Sequence, residues 1–332
     1  MKMSLTKEST SGSPSTNWLL IIRDEYSSAL AATLRSNAAW FFGGLALAAV
    51  SVLLLEGRTD VLRSAAPYLV GMPIMIALTL LLTSGVKRLD PIETHCTKTQ
   101  LSWQVVLLLI IIAFDTYRSI TFYFPGVFQI PGVYDLARLS IYFLGTRPVA
   151  PGHMYSAPKP PGHLIAIPVI EFLIPLLLLL LLGARWRELG LGRGYFSWRV
   201  VLTWSIAPIL GLIAVAYLGI DTGIIMFLQH TGRAILQTGF PTDFLFRGAL
   251  LTRLSYLIRE DWGLVLSMLI FGFSFLGYQT NEIYGDWLTG AASTILIQAM
   301  VGLATGMILQ RTGNLLASSI FYTLFELFLA FT

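Results

Sequence analysis

Charge is scarce in this chain. Of 332 residues only 12% are charged while 55% are hydrophobic, and the mean hydropathy is +0.72, so there is too little polar surface to cover a water-soluble globule. A soluble domain is excluded. The net charge of +4 comes from basic residues dispersed among loops, never gathered into a patch with exposed aromatics, which excludes a nucleic-acid interface. Cysteine is reduced to Cys96, so no intrachain disulfide and no Cys/His structural metal cluster is available. Histidine is limited to His95, His153, His163 and His230, all preceding Arg233, and the chain beyond that point has no imidazole of its own. What remains abundant is apolar sequence. A helical pass needs about 20 residues, and nine passes use roughly 180, close to the apolar content. The chain reads as an all-α, polytopic transmembrane helical bundle.

Residues Met1 to Asn17 form a polar Ser/Thr-rich tail with too little apolar surface to fold. From Trp18 to Ser36, Trp18, Ile22, Tyr26 and Leu30 recur every four residues, which suits an interfacial helix and equally an extension of the first span. No signal peptide precedes it, so the first span is expected to act as an uncleaved start signal. Nine spans are expected: Ala38 to Leu55, Ser64 to Val86, Leu101 to Phe124, Leu164 to Ala184, Val200 to Ile220, Thr242 to Leu257, Trp262 to Tyr278, Ala291 to Gln310 and Leu315 to Phe331. A cytoplasmic N-terminus places fourteen Lys and Arg residues inside and six outside, which favours that orientation. Three regions follow: 1–36, tail and interfacial helix; 37–199, N-terminal spans; 200–332, a C-terminal membrane domain. The connection at 125–163 is rich in Pro and Gly, which argues against a long helix. His153 and His163 within it have no carboxylate or cysteine nearby and read as solvated, in a lid or a partner-binding loop.

Ionisable residues inside spans are costly and mark interior positions. On the third span Asp115 and Arg118 are three apart and suit a local ion pair. Glu171, on the fourth, has no local basic partner. The segment Pro241-Thr242-Asp243-Phe244-Leu245-Phe246-Arg247-Gly248 opens on a proline suited to a first helical turn and sets Asp243 four residues before Arg247. On the ninth span Tyr322 and Glu326 are one turn apart and share a face. If Glu326 faces the sixth span, Arg247 bridges two carboxylates. Gly302 and Gly306 form a GxxxG, expected to serve close packing within the bundle. Phe271, Phe273 and Phe275 are expected in the core or against lipid.

These segments carry a family resemblance. From about Val200 to Phe331 the chain resembles the CPBP intramembrane protease family, which includes type II CAAX-prenyl endopeptidases and bacteriocin-processing or self-immunity proteins. The family's E-E-x-x-x-R motif, commonly within EExxFRG, appears as Thr-Asp-Phe-Leu-Phe-Arg-Gly at 242–248. Its F-x-x-x-H appears as Phe271 to Phe275, and its H-x-x-x-N or H-x-x-x-D as Tyr322 to Glu326, after an Arg311-Thr312-Gly313-Asn314-Leu315 turn very like the family's RTGNL. The resemblance implies a site at Thr242, Asp243, Arg247, Tyr322 and Glu326, in which only Arg247 keeps the family residue. In the family, glutamate and histidines activate water, with or without a metal. Here phenylalanine cannot bind a metal, and tyrosine, with an ordinary pKa near 10, is a poor general base. No cofactor is therefore expected; zinc would be expected only with the family site intact.

Three functions are open to this sequence. The first is a non-catalytic or divergent CPBP-like protein that binds within the membrane. The second is an active endopeptidase, of CAAX or leader-peptide type, using Asp243 and Glu326 as an acid/base pair. The third is a transporter or channel subunit, which the lack of an inverted repeat places last. Expected partners are the lipid bilayer and a prenylated or hydrophobic peptide or membrane protein. The expected location is the plasma membrane, in multi-pass form.

Overall fold

The computed structural model describes residues 18–84, 94–143, 167–218, 231–232, 234–283 and 285–331. The tail at 1–17, and His153, His163 and His230, lie outside them. The described residues are helices and turns with no strand among them. The first helix, α1 (Trp18–Arg35), ends where Ser36 caps α2 (Asn37–Leu55) by accepting from the Ala39 N–H, so it is a separate helix rather than an extension of the first span. Helix α3 (Thr59–Leu82) contains Pro67 and Pro73. Helix α4 (Lys98–Tyr123) opens on a Thr97/Gln100 capping box, with both reciprocal bonds formed.

Next come α5 (Val133–Phe143), α6 (Pro168–Leu181) and α7 (Ser197–Leu218). A helical run over 235–257, α8, precedes α9 (Glu260–Ser274) and α10 (Leu276–Glu282). The chain closes with α11 (Trp287–Thr312) and α12 (Leu315–Phe331).

Among the described residues, α2, α3, α4 and α11 are long and apolar enough to cross a membrane, and α9 with α10 adds a fifth if that pair is one span. Shorter apolar helices stand at Pro168–Leu181, Ser197–Ile213 and Leu315–Phe325. The candidate spans have different surroundings: 83% of the α11 window is buried inside the protein, against 17% for α2. Exposed Leu47 on α2, Ile110 on α4 and Leu181 on α6 are the kind of apolar residue that faces hydrocarbon.

The centre of the bundle is α8, buried at every position from Pro241 to Leu251. A helix apolar on all sides must be surrounded. Phe244, Leu245 and Leu250 pack in one core with Leu108 and Ile112 of α4, Leu176 and Leu179 of α6, Phe271 of α9, Val301 and Ala304 of α11 and Tyr322 of α12. The N-terminal helices therefore share a core with the C-terminal ones. Gly302 and Gly306 serve this packing as expected: a Cβ on Gly302 would lie 2.9 Å from the Phe271 ring, and one on Gly306 2.6 Å from a Leu264 methyl. Gly239 of α8 is tighter still against α12, where a Cβ would fall 1.6 Å from Thr323 Oγ1.

Two expectations about the helices need correction. Helix α8 begins before Thr242, so Pro241 is inside the run rather than in its first turn. The backbone is wound as a wider π-type turn over Ile235–Gly239, just before the proline, and again over Phe244–Leu251. Such turns change the hydrogen-bond register, which accommodates a residue lacking an N–H. The expected seventh span is not continuous, since α9 and α10 meet at a 51° bend with Phe275 between them. The Pro/Gly-rich connection contains the eleven-residue helix α5, which starts directly after Pro131 and Gly132. That helix is short, so it does not conflict with the expectation that the breakers exclude a long one, and Pro131 and Gly132 set its start.

At one end of the bundle two turns lock together. Leu315 N–H donates to the Gly190 carbonyl at 2.9 Å, and Asn314 Nδ2 to the Gly192 carbonyl at 3.0 Å. The buried pair Arg253 and Glu188 closes beside them at 2.9 Å. Arg311, in the same turn, binds Glu25 of α1 at 2.9 Å.

Candidate functional site

Two polar clusters meet on α8, at neighbouring residues. Thr242 is buried, and its hydroxyl donates to Glu171 Oε2 of α6. Glu171, also buried, lies within interaction range of Asp115 and Arg118 of α4. Arg118 Nη2 binds Asp115 Oδ1 at 2.6 Å, the i,i+3 pair that the spacing predicts. Glu171 therefore faces the carboxyl of Asp115 and, beyond it in influence, the guanidinium of Arg118 across helices, where a local reading sees no partner. This first cluster runs Arg118, Asp115, Glu171, Thr242 over three helices.

The second cluster begins one residue on. Asp243 is fully buried, and Oδ2 accepts from both Ser318 Oγ and Ser319 Oγ of α12, the latter at 3.1 Å. Its Oδ1 stands 3.3 Å from Arg247 Nε. That Nε donates to Thr305 Oγ1 of α11 at 2.9 Å. The guanidinium lies 3.8 Å from the centre of the Phe271 ring and 5.6 Å from that of Tyr322, and those rings meet edge to face at 5.8 Å. An aromatic face attracts a desolvated guanidinium by about 2 kcal/mol. Asp243 and Arg247 are thus held from three neighbouring helices in an aromatic box.

The bonding is incomplete. Arg247 Nη1 and Nη2 and Asp243 Oδ1 are buried and have no hydrogen-bond partner among the described residues. Glu326 lies on α12 one turn beyond Tyr322, and its side chain is outside the described residues, so the expected bridge from Arg247 to a second carboxylate is neither made nor broken.

Residues 224–328 match the family model of type II CAAX prenyl endopeptidase Rce1-like proteins. The match spans about a third of the chain and supports the CPBP resemblance of this region. No curated protein and no solved structure matches the chain. Within the matched region, three of the five expected site residues, Asp243, Arg247 and Tyr322, meet in the core, while Thr242, also buried, is turned to Glu171 instead. Phe275, at the family's first histidine position, is partly buried at the α9–α10 bend, with its ring 5.1 Å from Phe271. Phe273 points outward and Phe271 inward.

These residues do not suit zinc. The carboxylate at the motif is already held by a guanidinium and two hydroxyls, and its neighbours are phenylalanine and tyrosine rings. Zinc wants three or four N, S or O donors around one point, and among the described residues no group of three or more His, Cys, Asp or Glu side chains exists to offer them.

Sequence reasoning overlooked Ser318, Ser319 and Thr305. The first two sit four and three residues before Tyr322, one turn back on its face, where adjacent hydroxyls in a mostly apolar helix are the available signal. Thr305 is inside the GxxxG stretch, hidden by the packing role of the glycines around it.

Proposed function

We propose that this chain holds a hydrophobic or prenylated peptide segment within the bilayer, and that the inherited Asp243–Arg247 motif is a binding and structural clasp rather than a hydrolytic centre. The observation that carries this reading is the engagement of Asp243: a carboxylate fixed by Ser318, Ser319 and Arg247 is a poor proton acceptor for water. Phe275 and Tyr322 offer no imidazole to take over that role. The family match supports a peptide as the ligand class, and the apolar helices support a multi-pass membrane protein. The family resemblance favours the plasma membrane, and the charge distribution of the loops favours a cytoplasmic N-terminus.

The test is retention without cleavage. Purified protein in lipid nanodiscs is incubated with fluorescent prenylated peptides and leader peptides, beside Asp243→Asn and Glu326→Gln variants checked for folding. Wild type is expected to retain a labelled peptide and leave it intact. Cleavage by wild type that disappears in both folded variants overturns the reading in favour of the two-carboxylate endopeptidase. Stoichiometric zinc in the same preparation would contradict the site chemistry.

A further inference from the structure

At the end of the bundle where Gly190 and Gly192 lock against Asn314 and Leu315, basic residues are of two kinds. Arg253 and Arg311 bind Glu188 and Glu25, each at 2.9 Å, and Arg259 binds Asp261 at 3.2 Å. Arg185, Arg187, Arg193 and Arg199, between α6 and the first turn of α7, are exposed and form no ion pair among the described residues. The only acid in 185–199 is Glu188, which is buried and committed to Arg253. The four positive charges of this segment are therefore unbalanced.

The turn that carries them is fixed. Tyr195 N–H donates to the Thr312 carbonyl at 2.6 Å, beside the bonds that Gly190 and Gly192 accept from Leu315 and Asn314. Gly194 packs so closely that a Cβ there would fall 2.0 Å from Asn314 Cβ. A backbone held in this way presents its cations without first having to be ordered, which lowers the cost of binding. The aromatic residues give the depth. Trp186 and Trp198 are 53% and 80% exposed, one just past the apolar α6 and the other at the second residue of α7. Exposed tryptophan at the end of an apolar helix belongs at the headgroup level of a bilayer.

The partner that fits has an apolar body and a negatively charged head at that level. An acidic phospholipid has both. Its acyl chains suit the flanks of α6 and α7, where Leu181 and Leu202 are exposed, and its phosphate suits arginine, whose planar fork donates to two phosphate oxygens at once. A zwitterionic lipid offers the same phosphate but brings its own cation, so it does not offset the excess charge. We infer that the turn at 185–199 is a binding surface for acidic phospholipid headgroups, with the four arginines facing phosphate and Trp186 and Trp198 at the boundary between headgroup and acyl chain. This surface is on the rim of the bundle and is independent of what the core holds.

The experiment reads lipid contact at the two tryptophans. Full-length protein is reconstituted in bilayers containing dibrominated phosphatidylglycerol or dibrominated phosphatidylcholine, and quenching of Trp186 and Trp198 is taken as the signal missing from a Trp186→Phe, Trp198→Phe protein. A basic residue beside an acidic membrane surface is worth about fivefold in affinity, so phosphatidylglycerol is expected to be preferred here by at least about fivefold. Arg187→Gln with Arg199→Gln is expected to lower that preference below about twofold. Arg35→Gln with Lys98→Gln removes the same charge from exposed positions elsewhere at this end and is expected to leave the preference near its wild-type value.

Equal quenching by the two lipids in the wild type overturns the inference. So does an equal loss in the two double variants, which would mean that net charge over the whole face attracts the lipid and the turn has no part of its own. Excess inorganic phosphate at constant ionic strength is expected to leave the preference standing; its abolition would mean a site for free anions and overturn the lipid assignment. The comparison of lipids and the phosphate arm need neither arginine variant, so the inference stays open to failure even if one of them does not fold.

Discussion

Thr242 and Asp243 are neighbours in sequence and belong to opposite kinds of cluster. On the Thr242 side, Arg118, Asp115 and Glu171 close on one another, and neither Thr242 nor Glu171 has a buried polar atom left over. On the Asp243 side, serines, threonine and aromatic rings surround an ion pair that keeps three unmatched atoms. A saturated network in low dielectric is a structural joint, whereas the second cluster keeps buried polar atoms without a hydrogen-bond partner among the described residues. One helix carries both because adjacent residues on a helix point about 100° apart and so meet different neighbours.

Removing charge from the second cluster breaks this contrast most severely. Asp243→Ala leaves Arg247 buried without its anion and is expected to cost about 3–5 kcal/mol, read as unfolding in a denaturant series in mixed micelles. An effect below about 1 kcal/mol would mean that the pair is hydrated rather than sealed.

Loss of both serine donors comes next. Ser318→Ala with Ser319→Ala is expected to cost about 2–3 kcal/mol, since both bonds go to an ionised acceptor. Gly239→Ala tests how closely α8 and α12 must approach to make those bonds. Its Cβ overlaps Thr323 Oγ1, and a penalty of about 1–3 kcal/mol is expected, with rescue by Thr323→Ala.

Thr242→Val sharpens the contrast from the saturated side. It removes one donor to Glu171 and leaves the pairing of Asp115 with Arg118 in place, so about 1 kcal/mol is expected, in keeping with the modest worth of interhelical hydrogen bonds in membranes. A loss as large as that of Asp243→Ala would erase the distinction between the clusters.

The smallest effect is expected far from both. Asp286 caps α11 by accepting from the Leu288 N–H, and Asp286→Ala should cost about 0.5–1 kcal/mol. A hydrogen bond from the Thr289 hydroxyl holds this carboxyl below the ordinary Asp range. Because the folded pKa is lowered, the cap's contribution is present above the unfolded value and fades as pH falls through the lowered one. The wild-type advantage over the alanine variant should therefore shrink only in strong acid.

Much of the site was legible as residue types. Asp243 with Arg247, and Asp115 with Arg118, follow from helical spacing, because three- and four-residue intervals return to one face whatever the surroundings. Glu171 shows where spacing ends: its partners are on two other helices, and no interval in the chain connects positions 115, 171 and 242. Ser318, Ser319 and Thr305 were illegible for the same reason, since a hydroxyl in an apolar helix bonds its own backbone equally well. Pro241 misled in the other direction. A proline marks a first turn in most helices, and here a π-wound turn let the helix continue through it.

Composition alone determined that this protein is a bundle of apolar helices, because a chain with so little charge has no way to solvate a globular surface. It also determined that the C-terminal region lacks an imidazole of its own, because that is a matter of which residues are present. Tertiary structure alone decided which carboxylates meet across helices and which ion pair is enclosed by aromatic rings. That outcome depends on the angle at which α4, α6, α11 and α12 present their few polar groups to α8, and in hydrocarbon a displacement of one ångström separates a satisfied hydrogen bond from an orphaned one.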